Sequence, residues 1–135
     1  MSVNEPELAY GLFRIGLGTN ILLHGIVRWR KGLRTFSRTL TSDFSSAPLP
    51  PILVSLFGWI LPIMETLIGS LLIPGIFTLP TLLAGTLLLN MLIIGKCLQS
   101  DWPTASLQLI YLVCYVALIW LTNANRYSLD YALGQ

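Results

Sequence analysis

The chain has 135 residues, of which 54% are hydrophobic and only 10% are charged, and its mean hydropathy is +0.72. An average soluble domain carries about 25% charged residues, so this composition excludes an ordinary soluble globule and favours a single membrane-embedded domain. The net charge of +2 is too small to indicate a nucleic-acid partner.

Few residues in the chain suit a metal or a haem. Cys97 and Cys114 are seventeen positions apart, which fits no metal motif, and they are interpreted as small apolar fillers. His24 is the only histidine, so a haem held by two histidines of this chain is excluded. We therefore expect no metal site and no redox cofactor held by the chain itself.

Four apolar segments are each long enough to cross a hydrocarbon core of roughly 30 Å. They cover about residues 8–27, 52–73, 78–97 and 104–121. The acidic N-terminus and the length of the first segment argue against a cleavable signal peptide and predict a retained signal anchor. The sequence thus predicts an all-α integral membrane protein, a four-helix bundle within residues 1–135. The glycines of the first segment recur every seven positions and predict close approach by another helix; they are Gly11, Gly18 and Gly25.

Residues 28–40 have the pattern of a basic amphipathic helix that lies in the membrane interface. Trp29, Leu33, Phe36 and Leu40 recur at helical spacing, and cationic residues occupy the opposite side. Contact with anionic lipid headgroups is the first interpretation, and docking of a partner subunit is the second. The cationic residues are Arg28, Arg30, Lys31, Arg34 and Arg38.

The distribution of positive charge predicts an orientation. Six Lys and Arg residues lie in the first and third connections, whereas the other side has only Arg126. By the positive-inside rule the two basic connections face the cytoplasm and both termini lie outside. The expected location is the plasma or inner membrane of a prokaryote, or a thylakoid-type internal membrane.

Two charges fall inside predicted spans, Arg14 in the first and Glu65 in the second. Counted from the same face of the membrane, Arg14 is about 9 Å deep and Glu65 about 12 Å deep. A buried carboxylate in hydrocarbon needs a partner, so these depths predict an Arg14–Glu65 ion pair between adjacent antiparallel helices. The pair can act as a helix clamp or as part of a binding or proton-handling site.

Three further polar residues interrupt the spans. Asn20 and Asn90 are predicted to lie at similar depth and to hydrogen-bond between the first and third helices, which favours a structural role. His24 lies nearer the basic connection, either as an interfacial histidine or as a site residue. Together with Arg14 and Glu65 these residues form the candidate buried polar site.

The first two segments resemble those of the DoxX-like family of small membrane proteins. The resemblance is carried by Arg14-Ile-Gly-Leu-Gly, by His24-Gly-Ile-Val-Arg28 and by the series of Pro62, Glu65, Gly69 and Gly75-Ile-Phe-Thr78. The chain departs from the family where Leu79 follows Thr78, a position that often holds arginine. The resemblance implies four membrane helices and, for some members, a small subunit of a quinone-linked oxidoreductase.

Three functions are compatible with these patterns. The first is a redox-associated subunit that contacts quinone and receives electrons from a partner protein. The second is a structural or assembly subunit of a larger membrane complex, or a homo-oligomer. The third is a small transporter or proton-handling protein with Arg14 and Glu65 as its gate.

Overall fold

The computed structural model describes residues 4–134, and every regular element in that range is helical, which confirms the predicted all-α class. Five long helices precede a 3-10 turn, Thr122–Ala124, and a short C-terminal helix. The helices are α1 (Glu5–Lys31), α2 (Leu33–Asp43), α3 (Pro51–Leu72), α4 (Thr78–Leu98), α5 (Trp102–Trp120) and α6 (Leu129–Ala132).

In the described part of the chain, three helices are long and apolar enough to cross a membrane: α3, α4 and α5. By the length and composition of its helices, the chain is therefore a membrane protein with at least these three candidate spans. Helix α1 is longer than each of them, with 27 residues, but is not in this group. Its polar residues Arg14, Asn20 and His24 lower its hydropathy.

The basic segment begins later than the sequence pattern predicts. Residues 28–31 continue α1, so the expectation of a separate interfacial helix from residue 28 was wrong at that end. Gly32 then breaks the helix with φ +88°, a left-handed conformation that glycine adopts without a Cβ clash. Helix α2 follows and packs its half-buried Leu33, Phe36 and Leu40 inward.

Glycines set the register between α1 and α3, which pack together more extensively than any other helices. A Cβ on Gly25 would lie 2.9 Å from the backbone nitrogen of Thr66, and one on Gly18 would lie 3.0 Å from the Leu72 Cβ. From α3, a Cβ on Gly69 would lie 2.7 Å from the backbone nitrogen of Leu22. The two helices are thus antiparallel and in near backbone contact, as the seven-residue glycine spacing predicts.

The remaining helices complete the bundle around a leucine-rich core. Helix α4 packs on both α3 and α5, and α2 packs on α3, where Gly58 accommodates Ser37. The Tyr10 hydroxyl donates to the Leu118 carbonyl at 3.0 Å and joins α1 to α5. The most deeply buried apolar side chains are Leu61, Ile68, Leu72, Leu82 and Leu118.

A short polar connection joins α4 to α5. Asp101 caps the N-terminus of α5 by accepting a hydrogen bond from the Thr104 amide at 3.3 Å, and it pairs with Lys96 at 3.2 Å. The hydrogen bond from Thr104 and the Lys96 ammonium hold the pKa of the Asp101 carboxyl below its ordinary value. Asp101 is therefore ionised at neutral pH and supports a tight turn between antiparallel helices.

Candidate functional site

A cleft of about 240 Å³ lies between α1, α3, α4 and α5, and we call it the polar cleft. Apolar residues such as Leu17, Leu88 and Leu89 line part of it. Its polar side chains come from all four helices, at the end of the bundle where α1 meets α2. They are Asn20, His24, Arg28, Glu65, Lys96, Thr104, Gln108, Tyr111 and Tyr115.

Two charged residues that line the polar cleft, Arg28 of α1 and Glu65 of α3, form an ion pair. Arg28 Nη1 donates to Glu65 Oε1, and the two side chains are 24% and 4% exposed. The Arg28 guanidinium also stacks over the Phe36 ring at 4.9 Å, so it is held from α2 as well. The buried carboxylate therefore has the cationic partner that an acid in hydrocarbon requires.

Three buried polar atoms in the polar cleft have no hydrogen-bond partner among residues 4–134. They are Glu65 Oε2, Gln108 Oε1 and the Tyr115 hydroxyl oxygen. Buried polar groups in folded proteins are nearly always hydrogen-bonded, to protein, water or ligand. Two acceptors and one hydroxyl on the walls of one cleft therefore leave hydrogen-bonding capacity that a water molecule or a polar ligand can use.

Gly85 of α4 makes room for the Tyr115 ring of α5. A Cβ at Gly85 would overlap the Tyr115 ring carbons, so a larger residue there would displace the ring. Tyr115 is only 2% exposed and is fixed by this contact. Because Gly85 has no side chain, the Tyr115 ring can pack against α4 in the position from which Tyr115 lines the polar cleft.

His24 and Asn20 lie on the α1 wall of the polar cleft. His24 Nδ1 is 2.8 Å from the Asn20 carbonyl oxygen, one helical turn earlier. Because a carbonyl can only accept, Nδ1 carries the proton in this hydrogen bond and Nε2 of a neutral ring is left as an acceptor. His24 is exposed at the edge of the cleft that it lines.

The predicted Arg14–Glu65 pair was wrong. Arg14 is 1% exposed and donates to three backbone carbonyls: Leu72, Ile73 at 2.9 Å and Tyr127 at 2.7 Å. Arg14 thus caps the C-terminal end of α3 and holds the C-terminal segment, which makes it a structural clamp.

The reason for this error lies in the stagger of the two helices. Gly18 contacts Leu72 and Gly25 contacts Thr66, so Arg14 lies level with the turn at Gly75. Gly75 is ten residues beyond Glu65, which corresponds to about 15 Å along a helix. Depth counted from equal membrane boundaries does not detect such a stagger.

The predicted hydrogen bond between Asn20 and Asn90 was also wrong. Asn20 lies in the polar cleft, whereas Asn90 is exposed on α4 and does not line it. Asn90 Nδ2 donates to the Thr86 carbonyl of its own helix at 2.9 Å. Of the five candidate residues, the cleft therefore includes Asn20, His24 and Glu65.

The basic segment divides into two roles. Arg28 was predicted to belong to the lipid-facing or partner-facing surface, and it instead pairs with Glu65 inside the polar cleft. The side chains that remain exposed around α2 are Arg30, Lys31, Arg34 and Arg38. Ser37, on the opposite face of α2, is buried and donates to the Ser55 carbonyl at 2.9 Å.

A second, largely apolar cavity of about 480 Å³ lies between α2, α3 and α4. Its lining includes Phe36, Phe57 and Met91. It is a neighbour of the polar cleft, because four residues line both spaces, namely Arg28, Leu92, Lys96 and Gln108. The polar cleft alone lies below the roughly 300–1,000 Å³ of typical ligand pockets, and the two spaces together fall within that range.

The sequence did not predict six polar members of the cleft, namely Arg28, Lys96, Thr104, Gln108, Tyr111 and Tyr115. One signal was present for Arg28, since it follows His24 by four residues and so shares its helix face. Tyr115 lies in the fourth apolar segment, where the sequence alone favours packing or interface anchoring of an aromatic side chain. Within residues 4–134, the structure contains no cluster of three or more His, Cys, Asp or Glu side chains that could hold a metal ion.

Comparison of the chain with family models, with curated proteins and with solved structures found no match. The function is therefore argued from the polar cleft itself.

Proposed function

We propose that the polar cleft binds the headgroup of a quinone, and that the chain is a redox-associated membrane subunit without a redox cofactor of its own. The observation that carries this proposal is the set of unpartnered atoms on Glu65, Gln108 and Tyr115. A quinone supplies two-electron, two-proton redox chemistry when it is bound. Electrons would reach it from a partner protein.

The side chains of the cleft suit both redox forms of such a headgroup, the quinone with its carbonyl oxygens and the quinol with its hydroxyl groups. The Tyr115 hydroxyl can donate to a carbonyl oxygen, and Glu65 Oε2 and Gln108 Oε1 can accept from hydroxyl groups. Arg28 donates to the other oxygen of the same carboxyl group, Glu65 Oε1, and so holds this carboxyl group in place beside them. His24, exposed at the rim, is suited to pass protons outward. The adjoining apolar cavity offers space for a hydrocarbon tail.

We also propose that α1 is a fourth membrane span, which makes the molecule the expected four-helix bundle. Its two charges within the bundle are partnered, Arg14 by backbone carbonyls and Arg28 by Glu65. Its outward face is apolar and exposed, with Leu12 and Leu23 more than half exposed. The DoxX-like assignment remains a prediction supported by the residue patterns of α1 and α3.

An experiment on quinone binding tests the function. The purified protein is placed in lipid nanodiscs and titrated with decylubiquinone, and quenching of tryptophan fluorescence reports the Kd. Trp29 is a suitable reporter because its Nε1 donates to Thr66, the neighbour of Glu65, at 3.0 Å. We expect saturable quenching by the wild type.

The Tyr115→Phe variant removes one hydroxyl group and keeps the aromatic ring packed against Gly85. Loss of one hydrogen bond of about 0.5–1.5 kcal/mol should raise the Kd about 2- to 10-fold. Tyr127→Phe is the matched control, since its ring is exposed and lies outside the cleft, and its Kd should not change. Quenching that never saturates, or equal Kd values for both variants, would contradict the proposal.

A structural or assembly role in a larger membrane complex is the alternative. It is favoured by the exposed basic face formed by Arg30, Lys31, Arg34 and Arg38, which suits anionic headgroups or an acidic partner surface. A gate made by Arg14 and Glu65 is not proposed, because Arg14 is bound to backbone carbonyls.

A further inference from the structure

Asn90 places an exposed amide near the middle of an otherwise apolar helix. Helix α4 has 21 residues, and Asn90 lies two residues past its midpoint, about 3 Å along the axis. One amide proton is used by the Thr86 carbonyl. The other amide proton and the side-chain oxygen have no hydrogen-bond partner among residues 4–134, and hydrocarbon around the candidate span α4 would offer them none.

Asn90 belongs to a regular apolar seam on the outer face of α4. The seam residues alternate at spacings of four, three, four and three, which is the heptad pattern of helices that pack side by side. Leu83, Leu87 and Ile94 of the seam are 53%, 65% and 60% exposed. The complete α4 seam is Leu83, Leu87, Asn90, Ile94 and Cys97.

The opposite face of α4 is fully used inside the molecule. Its buried residues include Leu82, Gly85 and Leu88, which pack toward α3 and α5. No residue of the α4 seam lines the polar cleft, although Ile94 also lines the apolar cavity and Cys97 is half-buried. The α4 seam is available to a helix from another molecule.

We propose that the α4 seam is a dimer interface between two copies of this chain, with the two Asn90 amides hydrogen-bonded to each other. All copies in one membrane have the same orientation, so a two-fold axis along the membrane normal makes the two α4 helices parallel and brings both amides to the same depth. An amide carries both donor and acceptor and is complementary to itself. A single asparagine in such a seam also fixes register and oligomeric state.

Cys97 provides a direct test because it lies on the α4 seam, one heptad after Asn90. Seam residues of parallel helices face each other closely enough for a disulfide. A Cys114→Ser protein, which keeps Cys97, is oxidised with copper phenanthroline in native membranes and should give a disulfide-linked dimer. A Cys97→Ser protein keeps only Cys114 of α5 and should give no disulfide-linked dimer. Failure of Cys97 to cross-link two copies, or cross-linking only to a different protein, would overturn the proposal.

The role of the amide is tested separately by Asn90→Leu. Since Asn90 is exposed and bonds only within its own helix, leucine should leave the monomer folded. Loss of the paired amide should weaken dimerisation about 5- to 30-fold, measured by single-molecule photobleaching in liposomes at a series of protein-to-lipid ratios. The matched control is Ser70→Leu, an exposed polar-to-apolar change on α3, which should leave dimerisation unchanged. Equal dimerisation of the two variants would overturn the role assigned to Asn90.

Discussion

The ion pair between Arg28 and Glu65 compensates the cost of burying a charged group within an apolar helical bundle. Glu65 is buried and Arg28 is its only ion-pair partner among the described residues. Removing one member of a buried pair leaves an uncompensated charge, which is far more costly than removing both. The pair is therefore a condition for stability as well as a part of the candidate site.

A double-mutant cycle measures this coupling. Arg28→Met should destabilise the protein by about 3–5 kcal/mol, because the Glu65 carboxylate is left buried without its partner. The double variant Arg28→Met with Glu65→Gln should recover most of that loss. Unfolding in mixed detergent micelles, followed by circular dichroism, gives the free energies. Arg30→Met, an exposed arginine on the same helix, should change stability by less than about 0.5 kcal/mol. Additive effects in the cycle would show that the two residues are not coupled.

Residue patterns located the polar side chains but did not identify their partners. The cost of a buried charge correctly indicated that Glu65 has a cationic partner. Arg14 and Arg28 both lie on α1, and choosing between them requires the position of α1 along α3. That position depends on the contacts of Gly18 and Gly25, which belong to the tertiary structure.

At the scale of helices, the C-terminal segment closes the end of the bundle where α3 and α4 meet. The Leu129 and Asp130 amides donate to the carbonyls of Pro74 and Gly75 at 3.1 and 2.9 Å. The Asp130 carboxylate accepts from the amides of Phe77 and Thr78, each at 2.7 Å, and so caps the N-terminus of α4. Acids at this position are stabilised by the helix dipole.

The Asp130 cap predicts that acid weakens the attachment of the C-terminal segment to the N-terminus of α4. Burial raises the pKa of Asp130, but hydrogen bonds from Thr78 and Phe77 outweigh it and hold the pKa below its ordinary value of 3.8. A depressed pKa in the folded state means that the stabilisation is present above pH 3.8 and is lost as the pH falls through the folded-state value. Protection of the Leu129 and Asp130 amides from hydrogen exchange should therefore be constant from neutral pH down to about pH 4 and decrease below it.

Asp130→Asn is the control for this prediction. Its side chain does not titrate, so amide protection should be weaker at neutral pH and independent of pH in the acid range. A wild type whose C-terminal protection does not change below pH 4 would show that the Asp130 carboxylate does not hold the segment.

At the scale of the whole molecule, the charge distribution predicts which side of the membrane each connection faces. The exposed arginines around α2 and Lys96 lie at the end of the bundle opposite the termini. The positive-inside rule predicts that this end faces the cytoplasm. The exposed basic face of α2 would then meet the anionic lipids of the inner leaflet.

Cysteine labelling tests this orientation at a site that the structure makes suitable. Ser45 follows α2 and is exposed, whereas Ser37 is buried against α3. In a background without Cys97 and Cys114, Ser45→Cys should resist a membrane-impermeant maleimide in intact cells and react after permeabilisation. Asn123→Cys, exposed beyond α5, should react in intact cells. The reverse pattern would invert the orientation.

The helical class follows from the amino-acid sequence alone, because long apolar segments surrounded by hydrocarbon must satisfy their backbone hydrogen bonds internally. The sequence also indicates approximate helix positions, through the prolines, glycines and polar breaks around residues 48–51, 74–75 and 99–103. These are local properties of the chain, and hydropathy together with turn residues is sufficient to predict them.

Which polar groups contact each other depends on how the helices pack in three dimensions. The glycine contacts between α1 and α3 stagger the two helices, so that Glu65 pairs with Arg28 and Arg14 binds carbonyls at the end of α3. The rotation of α4 about its axis likewise turns Asn90 outward and Gly85 toward Tyr115. The shift of a helix along its neighbour and its rotation about its own axis are set by packing between residues that are distant in sequence. The hydropathy pattern of the chain therefore does not predict either of them.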